Sequence, residues 1–174
     1  MSTKLKAFLK EWVIPLAIEV VVVLFIIKYV VFLVNVPSGS MIPTIDEHSW
    51  LFARRVHNPQ KALSRGDVVI FDSDEEQKTL IKRLVGMPGE TVEVKMNGDI
   101  FIDGEKLDEP YVINQETGYE GTFEVPEGHY LFFGDNRSGS WDARYWDNPY
   151  ISEDDIMGEA GLTILPIRNF GFIK

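Results

Sequence analysis

Three stretches of this 174-residue sequence hold side chains suited to covalent chemistry. The first is Pro37-Ser38-Gly39-Ser40-Met41-Ile42-Pro43-Thr44-Ile45, where two prolines and a glycine forbid a helix and leave three hydroxyls on display. The same composition also describes a linker. The second is Leu80-Ile81-Lys82-Arg83-Leu84-Val85-Gly86. Read as a strand, it sets Lys82 on one face with Leu80 and Leu84. Apolar neighbours disfavour the charged form of an amine. A lysine of ordinary pKa is neutral in roughly one molecule in 2,500 at pH 7, and a drop of about three units, roughly 4 kcal/mol, makes it a usable general base. A strand lysine that extends its amine to water needs no such shift. The third stretch, Gly134-Asp135-Asn136-Arg137-Ser138-Gly139-Ser140-Trp141-Asp142-Ala143-Arg144, has the composition of a rigid, hydrogen-bonded loop or of a surface turn.

Other chemistries find less support. The three histidines, His48, His57 and His129, stand at unrelated spacings and give no HExxH-like pair, so a metalloenzyme is not expected. A Ser-His-Asp triad through His129 or His48 stays compatible with the composition. There are no cysteines, which excludes thiol nucleophiles, zinc–thiolate sites and disulfides. No phosphate-cradling GxxxxGKS loop occurs. The net charge of −10 argues against nucleic acid as a partner, because phosphates repel an acidic surface.

These stretches must be positioned by two unlike parts of the chain. From Trp12 to Val34, 20 of 23 residues are apolar, interrupted only by Pro15, Glu19 and Lys28. As a helix the run would rise roughly 34 Å, enough to cross a bilayer core of about 30 Å. It is too long for a removable leader, whose apolar core is about 7–15 residues. A permanent transmembrane helix over 12–34 is therefore expected, after an N-terminal segment 1–11. Lys4, Lys6 and Lys10 precede the run, and no Lys or Arg follows Lys28 until Arg54. The positive-inside rule then puts the N-terminus in the cytoplasm and residues 35–174 on the extracytoplasmic face of the cell membrane. Glu19 and Lys28 lie about 13.5 Å apart along such a helix and do not pair directly.

Beyond the run, short β-branched and aromatic segments alternate with turn signals. Strands are expected at Trp50–Val56, Asp67–Phe71, Thr79–Val85, Thr91–Met96, Ile100–Asp103, Gly121–Val125, His129–Phe133 and Gly161–Ile167. Asn97-Gly98 predicts a type I′ hairpin, Pro88-Gly89 a type II turn, and Ser152–Met157 a single helical turn. The fold expected is mainly β, of twisted and partly closed antiparallel sheets, with a small β extension at about 95–121.

The three stretches, with Arg65-Gly66-Asp67-Val68-Val69-Ile70-Phe71 between the first two, follow one another in an order that resembles the four blocks of the bacterial type I signal peptidases. The second block extends here over Lys82–Glu90, and the preceding anchor resembles the compact single-anchor Gram-positive form. The resemblance implies a Ser-Lys serine endopeptidase that removes signal peptides from exported preproteins, cutting after small residues at −1 and −3 and needing no cofactor. By position, Ser40 matches the nucleophile and Lys82 the general base. Ser38 matches a hydroxyl that lines the oxyanion hole beside the Ser40 amide. Ser140 matches a residue that orients the lysine, Asp142 and Arg144 a supporting ion pair, and Asp135 a structural acid, with Arg83 also structural. Ala143 departs from the serine often found there. The implied partners are preproteins and the lipid bilayer. Ile42, Leu84 and Val85 are the apolar neighbours available to line substrate pockets. The rivals are a Ser-His enzyme, an inactive scaffold on the same fold, and a self-cleaving repressor, whose DNA-binding domain is replaced here by the apolar run.

Overall fold

The computed structural model describes residues 9–173, which form two units meeting in sequence at Phe32 and Leu33. Lys4 and Lys6 lie outside the described residues.

In the first unit a π-helical turn, Leu9–Val13, leads into an α-helix over Ile14–Tyr29. Pro15 falls in the first turn, where a missing N–H costs little. No side chain of the α-helix is buried, although the helix is apolar on every face. The stretch Lys10–Tyr29 counts 20 residues, about 30 Å of rise. Val30 N closes the last turn onto Ile26 O at 2.8 Å. Helix over the whole of 12–34 is therefore not observed. Val31–Asn35 is instead an edge strand, β1, where the β-branched Val31 and Val34 suit extended backbone. Lys28 Nζ lies 5.2 Å from the centre of the Tyr29 ring, a cation–π contact.

The second unit carries the remaining strands: β2 (Trp50–Arg55), β3 (Val68–Ser73), β4 (Lys78–Gly86), β5 (Thr91–Val94), β6 (Ile100–Ile102), β7 (Glu105–Lys106), β8 (Gly121–Glu124), β9 (His129–Phe133), β10 (Tyr150–Ser152), β11 (Ile156–Leu165) and β12 (Gly171–Phe172). The larger sheet runs β1-β2-β11-β3-β4-β9-β10, with β12 beside β11. The smaller runs β7-β6-β5-β8, so the β extension begins at Thr91 and ends at Glu124, wider than the 95–121 expected. Every strand pairing whose register is resolved is antiparallel. One continuous core joins the two sheets. Phe71 and Phe132 stack with centroids 4.5 Å apart, and Val92, Ile100 and Phe123 pack in from the smaller sheet.

Local chemistry accounts for the turns. Gly89 adopts φ +82°, and Glu90 N bonds Met87 O at 3.3 Å, as a type II turn requires. The Asn97-Gly98 hairpin forms with a different turn. Asn97 has negative φ, only Gly98 is left-handed, and Gly98 N bonds Lys95 O at 2.7 Å. The result is a type I turn followed by a left-handed glycine, not type I′, and Asn97 Oδ1 supports it by accepting from Asp99 N. The expected helical turn is the 3₁₀ turn Glu153–Asp155. Strand β11 starts five residues before the expected Gly161, because it must pair with both β2 and β3.

Candidate active site

Strand β4 leaves solvent as it runs. Lys78 and Thr79 are exposed, and every residue from Ile81 to Gly86 is buried. Lys82 pairs with Val69 of β3, and only 3% of its surface remains accessible. Its Nζ lies 2.6 Å from Ser40 Oγ. The amine makes no ion pair among the described residues. Burial is the main cause that lowers its pKa from 10.5 to about 8. Lys78 and Arg144 push the same way, and Asp142 and Glu76 oppose them. Neutral Lys82 then amounts to about one molecule in ten at pH 7.

Ser40 sits in a 3₁₀ turn, Gly39–Met41, begun by Ser38 in extended conformation. The first N–H groups of such a turn have no partner within it. Ser38 is exposed, and its Oγ lies 3.4 Å from Ser40 Oγ. The Lys82 amine and the hydroxyls of Ser40 and Ser38 thus meet at one point. A buried amine with a lowered pKa, 2.6 Å from a hydroxyl, can take that hydroxyl's proton, and a second hydroxyl stands beside it.

The loop after β9 closes around this point. Gly134 N donates to Asp142 Oδ2 at 2.8 Å, and Arg144 holds Asp142 through Nε and Nη2 at 2.8 and 2.9 Å. Arg144 also donates to the carbonyl of Arg137 at 2.8 Å. Asp135 is fully buried. It takes both Arg83 Nε at 2.7 Å and Nη2 at 2.6 Å, and Thr44 Oγ1 at 2.5 Å. This fork ties the strand of Lys82 to the loop and to the segment after Ser40. A Cβ on Gly134 would collide with Ser140 Oγ and the Ser40 carbonyl, so any larger residue here must push the loop or the Ser40 turn out of place.

Ser140 differs from its expected role. It is 5% exposed, and its Oγ makes no hydrogen bond to Lys82 or to any other described protein group. Leu84 and Val85 are completely buried in the core and offer no surface to a substrate, whereas Ile42 is half-buried beside Ser40. Ala143 packs in the apolar core, which suits a methyl better than a hydroxyl. His129 Nδ1 lies 3.1 Å from Glu127 O, and His48 is exposed at φ 60°; neither hydrogen-bonds Ser40. Sequence reading missed two carboxylates from the polar stretch between β7 and β8. Glu109 grips Arg137 at 2.5 and 2.9 Å, and Glu116 grips Arg144 at 2.5 Å and bonds Tyr145 Oη. Each pair is 28 residues apart, a spacing that carries no local signal.

The chain is 37% identical over 153 residues to signal peptidase I of Bacillus licheniformis, covering 82% of each chain. It is 34% identical to signal peptidase I T of Bacillus subtilis strain 168, covering 91% of this chain and 86% of that one. A crystal structure of a signal peptidase I from Enterococcus faecalis V583 superposes with a TM-score of 0.50 at 31% identity, over 57% of this chain and 97% of that one. Fold and likeness define a serine peptidase. The family described as signal peptidase, peptidase S26, matches residues 9–165, and the chain belongs to that family.

Proposed function

We propose that this chain is a membrane-anchored endopeptidase that removes signal peptides from exported preproteins with a Ser40–Lys82 dyad. The observation that carries the reading is the 2.6 Å approach of Lys82 Nζ to Ser40 Oγ, at a buried amine whose pKa is lowered to about 8. Neutral Lys82 takes the Ser40 proton as Oγ attacks the scissile carbonyl carbon. The tetrahedral oxyanion receives hydrogen bonds from the Ser40 amide and the Ser38 hydroxyl, each such donor being worth about 3 kcal/mol of barrier. Collapse breaks the C–N bond, and the Lys82 ammonium gives its proton to the departing amine of the mature protein. The signal peptide is left as an ester on Ser40. Lys82, neutral again, then deprotonates the water that hydrolyses this ester.

The substrate adds as an extended strand, with shallow pockets selecting small residues at −1 and −3. The Lys10–Tyr29 helix is the membrane span, with the N-terminus on the cytoplasmic side and the β unit outside. Within the β unit, Trp50, Phe52, Leu165, Ile167, Phe170 and Phe172 stay exposed on β2 and the end of the chain, which supports a resting place against lipid. The test is cleavage of a preprotein with an Ala-x-Ala site by the full chain in detergent, beside Ser40→Ala and Lys82→Met. Cleavage at the signal-peptide boundary, lost in both variants, is expected. Near-normal cleavage by a folded Lys82→Met variant would sink the dyad.

A further inference from the structure

The nucleophile's turn is held from outside itself. The Gly39 carbonyl accepts from Asn136 Nδ2 at 3.0 Å, and the Ser40 carbonyl accepts from Asn136 N at 3.0 Å. A single residue of the loop after β9 therefore grips both carbonyls that flank the reactive hydroxyl. The grip works only if the Asn136 amide faces the right way. With Nδ2 toward Gly39 it donates; turned over, it would set Oδ1 against the Gly39 carbonyl, oxygen to oxygen.

What fixes that orientation is Asn114. Its Nδ2 donates to Asn136 Oδ1 at 3.0 Å, a bond that the amide can accept only through its oxygen. The Asn114 carbonyl also accepts from Ser138 N at 3.1 Å. Asn114 lies in a stretch without strand or helix, between β7 and β8, and that stretch is fastened on both sides. Upstream, Glu109 forms its two-pronged pair with Arg137, both side chains at most 5% exposed. Tyr111, whose hydroxyl donates to Glu109, lays its ring 3.8 Å from the guanidinium carbon of Arg83, the residue after Lys82. Downstream, Glu116 pairs with Arg144. Arg137 and Arg144 in turn donate to the carbonyls of Gly134 and Arg137 within the loop. The stretch 109–116 thus straps the loop that grips Ser40 and also touches the strand that carries Lys82.

We propose that Asn114 is a positioning residue for peptide cleavage, holding Ser40 in line through the orientation it imposes on the Asn136 amide. This rests on the Ser40–Lys82 reading above. Asn114 touches neither substrate nor the reacting atoms. Its side chain is exposed, so the fold does not depend on it for packing.

The test compares Asn114→Ala with Asn114→Asp in the full chain in detergent, using the Ala-x-Ala preprotein. Aspartate is the closer match in shape, but its carboxylate accepts where asparagine donated. It attracts Asn136 Nδ2 and so turns the amide over. The expected result is a kcat lower by roughly tenfold for alanine and roughly a hundredfold for aspartate, with KM within about twofold of the parent. The unfolding midpoint should hold in both variants. The Asn136 amide proton should exchange faster in both, most of all with aspartate, because its bond to the Ser40 carbonyl loosens. A role in packing or loop stability alone would rank the isosteric aspartate nearer to the parent than alanine. That ranking, or parental kcat and exchange in both variants, overturns the proposal. The exchange measurement does not depend on catalysis. Cleavage by the Ser40→Ala control would overturn the dyad and leave the strap to be judged on exchange.

Discussion

Replacing Lys82 by methionine should make this protein more stable at neutral pH while destroying its proposed activity. The amine is 3% exposed and pairs with no acid among the described residues, and burial lowers its pKa from 10.5 to about 8. In the unfolded chain the proton stays on up to about 10.5; in the folded chain it leaves at about 8. Between these values unfolding takes up a proton, so stability rises with pH across that window and is lower below it. A difference of about 2.5 units corresponds to about 3 kcal/mol carried by the fold at pH 7. Methionine matches the stem in volume and removes that cost, and the lost hydrogen bond to Ser40 returns about 1 kcal/mol. The variant should therefore gain about 2 kcal/mol at pH 6–7, and the advantage should vanish as pH approaches 10.5. Urea unfolding of both proteins in the same detergent at pH 6, 8 and 10 reads the difference, as does the unfolding temperature, where it amounts to several degrees. A stability difference that stays constant from pH 6 to pH 10 refutes the argument, because it would show an amine that titrates alike in both states.

The same shift predicts that kcat/KM for preprotein cleavage climbs about tenfold per pH unit below a limb near 8; a limb near 10.5 would mean a solvated lysine. Asp135→Asn removes the carboxylate that faces the Arg83 guanidinium, which is 2% exposed, and should cost about 3–5 kcal/mol in denaturant unfolding. Gly134→Ala drives a methyl into Ser140 Oγ and the Ser40 carbonyl, so it should destabilise by about 1–3 kcal/mol and lower kcat. Adding Ser140→Gly, which removes one of the two obstacles, should recover part of the stability in a double-mutant cycle.

Much of this protein could be read from the chain alone, where the signal was local. An apolar run interrupted by three residues shows a helix apolar on every face, because lipid-length hydrophobicity needs no tertiary context. Alternating β-branched segments with Gly and Pro punctuation gave most strands and the Pro88-Gly89 turn, since those turn residues restrict backbone angles on their own. The Ser38–Ser40 segment, Lys82 and the Gly134–Arg144 loop each carry a weak signal of their own, and only the resemblance of their order to the signal peptidase blocks suggests the chemistry. Tertiary structure decided the rest. The approach of Lys82 to Ser40 joins residues 42 apart, and the depth at which the amine is desolvated depends on β3 and the loop packing against it. The helix stops at Tyr29 and the chain turns to strand within an apolar run that has no local stop signal, because β1 takes its place at the sheet edge. Ser140 keeps its hydroxyl from Lys82, and Glu109, Asn114 and Glu116 reach the loop from a stretch that looked like polar filler. Hydrogen bonds between residues far apart in sequence leave no periodicity or composition to read; only the folded backbone brings their partners within 3 Å of one another.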